Sequence, residues 1–276
     1  APISLALLAV FALLTWPVWR WLWGEWLQNE YYSHGLVIVP IAAYLGWRRW
    51  RHATRTGIET APHVTTRGGW VLFGVSLGLY LILLLRGAYW LAALCMILLL
   101  AGIVWALLGG RIARQLAFPL AFLVFMVPLP FVEAATLPLA RFTGTCSTAV
   151  TSALGLDVQV NGSEVTLPGA TLVIGAQCSG ISSSISLLAL SVLLAYVLQG
   201  PWWARLLIVL SAIPLAMLGN IIRVANLLWV ADALGVEAAF RFYHEWSGYV
   251  IFAAALLILL LLTRFLGCRT VRSEVF

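Results

Sequence analysis

The sequence predicts an all-α polytopic membrane protein, with eight transmembrane helices and one small extracytoplasmic β-hairpin. Three observations carry this. Of 276 residues, 63% are hydrophobic and only 9% are charged, whereas a soluble domain carries about 25% charge. The mean hydropathy is +1.00. The apolar residues fall in runs near the roughly 20 residues a bilayer-crossing helix needs. A disordered chain, a nucleic-acid-binding domain and a disulfide-rich secreted module are excluded, despite a formal charge of +6. The whole chain, 1–276, reads as a single integral-membrane domain embedded in the lipid bilayer.

In chain order the expected spans are about 3–19, 36–47, 70–85, 88–108, 116–131, 179–198, 206–231 and 247–263. The first has neither a basic leader nor an Ala-x-Ala-like exit, so it reads as a span rather than a cleaved signal. The second is short and needs residues 31–35 to help cover the interface. Orientation follows from arginine placement, because cytoplasmic loops hold the basic excess. With the loop of Arg48, Arg49, Arg51, Arg55 and Arg67 inside, Arg111, Arg114, Arg205, Arg264, Arg269 and Arg272 also fall inside. Eleven of sixteen arginines thus agree with both termini being cytoplasmic. Most acidic residues lie on the opposite side. The expected location is a bacterial inner membrane.

Two outer segments stand apart. Residues 156–174 alternate polar and apolar side chains around Asn161-Gly162, a dipeptide suited to a tight hairpin turn. Before it, residues 133–154 are expected to form a helix at the interface, a choice that Pro138 and the small residues weaken.

In so apolar a chain, ionisable and polar groups near span ends are the informative positions. Cys178 opens span six in Gly175-Ala176-Gln177-Cys178-Ser179-Gly180. A helix N-terminus favours the thiolate, the nucleophilic form of cysteine. Ser179, Ser182, Ser183 and Ser186 follow on one helical face; the alternative is a buried cysteine beside serines that let helices pack. Arg223 lies 18 residues after Arg205, about 27 Å along a helix and therefore at the outer interface. Asn220 and Asn226, one turn to either side, are expected to hold its guanidinium; the alternative is an arginine snorkelling to lipid phosphates. His244, just before span eight, has the proton affinity for acid–base work near neutral pH, although an amphipathic interfacial histidine fits the aromatic border too. His34 is a rival base on the same side. Cys95, Cys146, Cys178 and Cys268 show no spacing for a metal site or disulfide framework, so neither metal nor cofactor is expected. A nucleophile, a fixed cation and a proton acceptor at one depth are the set acyl transfer requires.

These residues, Cys178-Ser179-Gly180 after a hairpin, Asn220-x-x-Arg223 in the next span and His244 before the last, resemble the exosortase/archaeosortase family. Tyr32-Ser33-His34-Gly35 and Val39-Pro40 look like its N-terminal signature. The resemblance implies a membrane cysteine protease or transpeptidase that cleaves C-terminal sorting signals of exported proteins through a thioester. In the exosortase branch the signal is a short Pro-Glu-Pro motif, a transmembrane helix and a basic tail. It implies Cys178 as nucleophile, His244 as the third member of the triad and Arg223 as its arginine, with Asn220, Ser179, Gly180 and His34 in support. The partners implied are membrane-anchored substrate proteins. A transporter, or a non-catalytic scaffold for polysaccharide export, is the competing expectation, since polar residues in a bundle also mark permeation routes.

Overall fold

The computed structural model describes residues 2–56, 66–161, 164–167, 170–173, 175 and 178–273; the side chains of residues 2–9, 66, 160, 161, 170, 173, 240, 242, 244 and 245 lie outside that description. Two units make up the chain, one of Ala1–Leu129 with Arg272–Phe276 and one of Pro130–Val271.

The first unit contains α1 (Pro2–Gln28), α2 (Gly35–Arg55), α3 (Thr66–Leu85), α4 (Tyr89–Gln115) and α5 (Ala117–Phe122), the last continued by a 3₁₀ turn at Leu123–Met126. A tight link with Gly87 at φ 70° joins α3 to α4. Small residues bring these two backbones together, as expected where dispersion rather than a hydrophobic drive holds helices side by side. A Cβ added at Gly102 would lie 2.8 Å from the Phe73 amide nitrogen, and one at Gly69 would strike the Ala106 backbone. Gly109, at φ 83° and ψ 161°, breaks α4 before its last turns. Only glycine occupies that region without strain. The link between α1 and α2 is tied to the far end of α5. Trp26 Nε1 donates to Met126 O at 2.9 Å, the Tyr32 hydroxyl accepts from Leu129 N at 2.8 Å, and His34 Nε2 bonds Phe125 O at 3.1 Å.

The second unit is organised around α8 (Trp202–Leu234). Ala204, Ile208, Ala212, Ala216, Asn220, Val224 and Leu228 recur every fourth residue of α8 and all are buried. One continuous stripe therefore faces its neighbours, and Asn220 is the polar member. Against α8 pack α6 (Pro130–Ala153), α7 (Ile181–Val197) and α10 (His244–Phe265). Between α8 and α10 the chain makes a short turn, α9 (Val236–Ala238), and then a π-helical stretch at Ala239–Tyr243. A two-stranded pairing of β4 (Leu198–Gln199) with β5 (Thr270–Val271) joins the ends of α7 and α10.

Among the described residues, four helices are long and apolar enough to cross a bilayer, at Arg67–Leu85, Tyr89–Gln115, Trp202–Leu234 and Trp246–Phe265, or up to five if the helices flanking residues 127–129 count as one span. The expectation of eight is corrected accordingly. The four match the runs at 70–85, 88–108, 206–231 and 247–263. Three of the others fail for separate reasons. The run at 36–47 belongs to α2, whose second half carries Arg48, Arg49, Arg51 and Arg55. The run at 116–131 is broken by a 3₁₀ turn and an extended Val127. That at 179–198 yields α7, only 17 residues long. The run at 3–19 falls partly on side chains outside the described residues.

The outer hairpin becomes a three-stranded antiparallel sheet, β1 (Gln159–Asn161), β2 (Glu164–Leu167) and β3 (Ala170–Val173) in that order. Asn161 pairs with Glu164, so the connecting pair is Gly162-Ser163 rather than Asn161-Gly162; those two residues lie outside the described ones. Leu167 pairs with Ala170, which splits the expected return strand in two; residues 168 and 169 lie outside the described ones. The helix expected at 133–154 runs as α6 straight through Pro138.

Candidate active site

The sheet positions Cys178. Along β2, Glu164 and Thr166 are exposed while Val165 and Leu167 are buried, the alternation a one-sided sheet requires. Val165, Leu167 and Leu172 share a buried cluster with Cys178 and with Val224, Leu227 and Leu228 of α8. The strand that precedes the cysteine is thereby anchored to the α8 segment that carries Arg223.

Cys178 is buried, 2% exposed, three residues before α7 begins. Its amide donates to Gly175 O at 3.0 Å. The buried Ser179 hydroxyl accepts from the Ile181 amide at 3.4 Å. Gly180 caps α7 at φ 71°, and a Cβ there would lie 2.7 Å from the Asn220 side-chain amide carbon. Two constraints thus demand glycine at 180: a left-handed backbone and the close approach of Asn220. Asn220 Nδ2 donates to Cys178 O at 2.7 Å and to Thr143 Oγ1 on α6 at 3.2 Å. One amide group joins α6, α8 and the cysteine segment.

Arg223 lies one turn beyond Asn220. Its Nε donates to Ser247 Oγ on α10 at 3.2 Å, and its guanidinium carbon would be 3.6 Å from a Cβ added at Gly248. The arginine therefore turns inward to α10, which argues against a solely lipid-facing role. Its bond to Ser247 comes from α10 and not from the flanking asparagines that the sequence suggested. Asn220 gives both bonds elsewhere, and Asn226 is exposed. A cleft with a volume of about 10 Å³ lies among Ser183, Asn220, Arg223, Gly248 and Phe252, the space a single water needs.

Burial pushes the Cys178 thiol up, while the positive charge of Arg223 pulls it back down. Opposed desolvation and ion pairing are what set thiol reactivity. His244 opens α10, one turn ahead of Ser247, but its side chain lies outside the described residues. His34 belongs to the first unit, where it precedes α2. Its Nδ1 is buried with no hydrogen-bond partner among the described residues. Burial pushes its pKa down, opposed by the carbonyls of Phe125 and Tyr31.

Sequence reasoning missed Thr143 and Ser247. A signal for the first existed: Thr136, Ala140, Thr143, Ser147 and Thr151 are spaced by three or four residues and all are buried. Ser147 Oγ also reaches Ile221 O at 3.0 Å, so this stripe docks α6 on α8. Among the described residues, no three His, Cys, Asp or Glu side chains are grouped to hold a metal.

The family model described as Transmembrane exosortase (Exosortase_EpsH) matches residues 26–261, which includes every residue of this site. No curated protein and no solved structure matches the chain.

Proposed function

Since this chain belongs to the transmembrane exosortase family, we propose that it is a membrane-embedded cysteine endopeptidase and transpeptidase, which cleaves C-terminal sorting signals of exported proteins near the outer membrane face. The observation that carries the proposal is the pairing on α8: Asn220 fixes the backbone of Cys178 while Arg223, one turn away, imposes its charge on the thiol.

In the proposed reaction the Cys178 sulfur, having lost its proton to a base, attacks the scissile carbonyl carbon. A C–S bond forms and negative charge gathers on the carbonyl oxygen. Arg223, restrained by Ser247, stabilises that charge or the thiolate itself. Removing one such donor typically costs about 2.7 to 4 kcal/mol. The C–N bond then breaks and the leaving amine takes the proton. His244 is assigned as proton carrier because it opens the helix that holds Arg223, and a buried thiol with a raised pKa needs a base at neutral pH. Water, an amine or a glycan-linked acceptor attacks the thioester and regenerates the thiol. The substrate is a protein with its own membrane helix, delivered sideways so that membrane depth sets the bond to be cut. Under the arginine rule the Arg205 end of α8 is cytoplasmic, and Asn220, whose amide bonds Cys178 O, lies about 22 Å farther along that helix, so Cys178 faces the exterior.

The test is co-expression with a tagged protein ending in a Pro-Glu-Pro motif, an apolar helix and a basic tail. Cys178→Ser and Cys178→Ala should abolish processing at unchanged enzyme abundance. Persistent processing in both variants would refute the catalytic assignment and favour a transporter or scaffold.

A further inference from the structure

A large cavity lies outside this site. It is a groove with a volume of about 1050 Å³ in the first unit, running along α4 from Leu94 to Arg114, flanked by Leu72 of α3 and by Leu120 and Val124 after the Gly109 break. Its lining is apolar along most of its length, and Leu98 and Val124 remain 47% and 40% exposed. Two features break that pattern. Arg111 and Arg114 stand together at one end, with no carboxylate partner among the described residues. Trp105, earlier along the same wall, has a buried Nε1 with no hydrogen-bond acceptor among the described residues. A buried donor left unpaired needs an explanation.

We infer that this groove binds an anionic membrane phospholipid, its phosphate between Arg111 and Arg114, its glycerol ester carbonyl toward the Trp105 N–H and one acyl chain along the α4 wall. The length of the groove suits an acyl chain. From Leu94 to Leu108 the wall runs about 21 Å at 1.5 Å per residue, more than the roughly 15 Å of one leaflet's hydrocarbon. Charge chooses among lipids. Basic pockets between membrane helices on the cytoplasmic side select anionic headgroups, and the arginine rule puts Arg111 and Arg114 on that side. The Gly109 break redirects α4 where the headgroup would sit.

The test is native mass spectrometry of the full chain purified in detergent and exchanged with phosphatidylglycerol or phosphatidylcholine of identical acyl chains. The wild type should retain phosphatidylglycerol preferentially. Arg111→Gln combined with Arg114→Gln changes two exposed positions and should weaken phosphatidylglycerol about 10- to 30-fold, to the level of phosphatidylcholine, since each basic residue near an anionic headgroup is worth about fivefold. Ala101→Trp fills the groove and should reduce both lipids. An unchanged phosphatidylglycerol preference in the double variant would overturn the assignment. So would full lipid occupancy in Ala101→Trp, or a wild-type dimer that this variant dissociates without changing lipid occupancy.

Discussion

A single side-chain amide holds the cysteine segment in place. Asn220 was legible in the sequence as a neighbour of Arg223, but its task was not. The spacing implied that it served the arginine, whereas its amide goes to Cys178 O and Thr143 Oγ1. The reason is that Asn220 lies on the buried every-fourth-residue stripe of α8, a pattern that shows only when the whole helix is followed. Asn220→Ala leaves a carbonyl and a hydroxyl buried without a donor. The expected loss is about 1–3 kcal/mol, read as a lower thermal midpoint in detergent together with slower processing. Thiol chemistry supplies a second residue-level expectation. Burial raises the Cys178 pKa and Arg223 lowers it, so alkylation of Cys178 should be slow at neutral pH and accelerate above the usual thiol range. Removing the cation in Arg223→Gln should move that acceleration to still higher pH. A profile that does not move would show that the arginine's charge is not felt at the sulfur.

At the level of elements, the uniformly apolar helices were readable and the interrupted ones were not. Hydropathy finds α3, α4, α8 and α10 because no charge breaks their central turns. It overextends α2 and α7, whose arginines and short length respectively disqualify them. The separation of β2 from β3 between Leu167 and Ala170 was concealed by the alternation, which runs on through both strands. Close packing of α3 on α4 gives an element-level prediction. Gly102→Val drives a side chain into the Phe73 backbone, and overpacking of this kind costs about 1–3 kcal/mol. The helix pair should lose thermal stability, while a neighbouring exposed change such as Leu98→Ala leaves it intact. His34 adds a pH dependence. Its pKa in the folded chain lies below 6.5, so the unfolded chain takes up the proton first. The stability contribution is complete above the unfolded value and declines as pH falls through the folded one. The thermal midpoint of the wild type should drop on acidification below about pH 6.5, and His34→Gln should flatten that part of the curve.

For the whole molecule, the arginine distribution predicts sidedness: the arginine-rich end of α2 and the Arg205 end of α8 are cytoplasmic, and the sheet packed beside the far end of α8 is exterior. Cysteine introduced at Thr171, an exposed position on β3, should react with a membrane-impermeant maleimide in intact spheroplasts. Cysteine at Arg51 should react only after permeabilisation, and the reverse pattern would invert the topology and move the proposed chemistry to the cytoplasm. Family membership, the sheet before Cys178 and the convergence of α6, α8 and α10 on Asn220 and Arg223 all bear on one claim, that the sulfur of Cys178 becomes covalently bonded to its substrate. The most direct measurement is intact and peptide mass spectrometry of enzyme quenched in acid during turnover of a tagged substrate. The account predicts a hydroxylamine-labile acyl adduct on the peptide containing Cys178, accumulating when the acceptor is withheld and absent in Cys178→Ser. Substrate cleaved at the wild-type rate with Cys178 unmodified under trapping conditions, or an adduct on another residue, would contradict it.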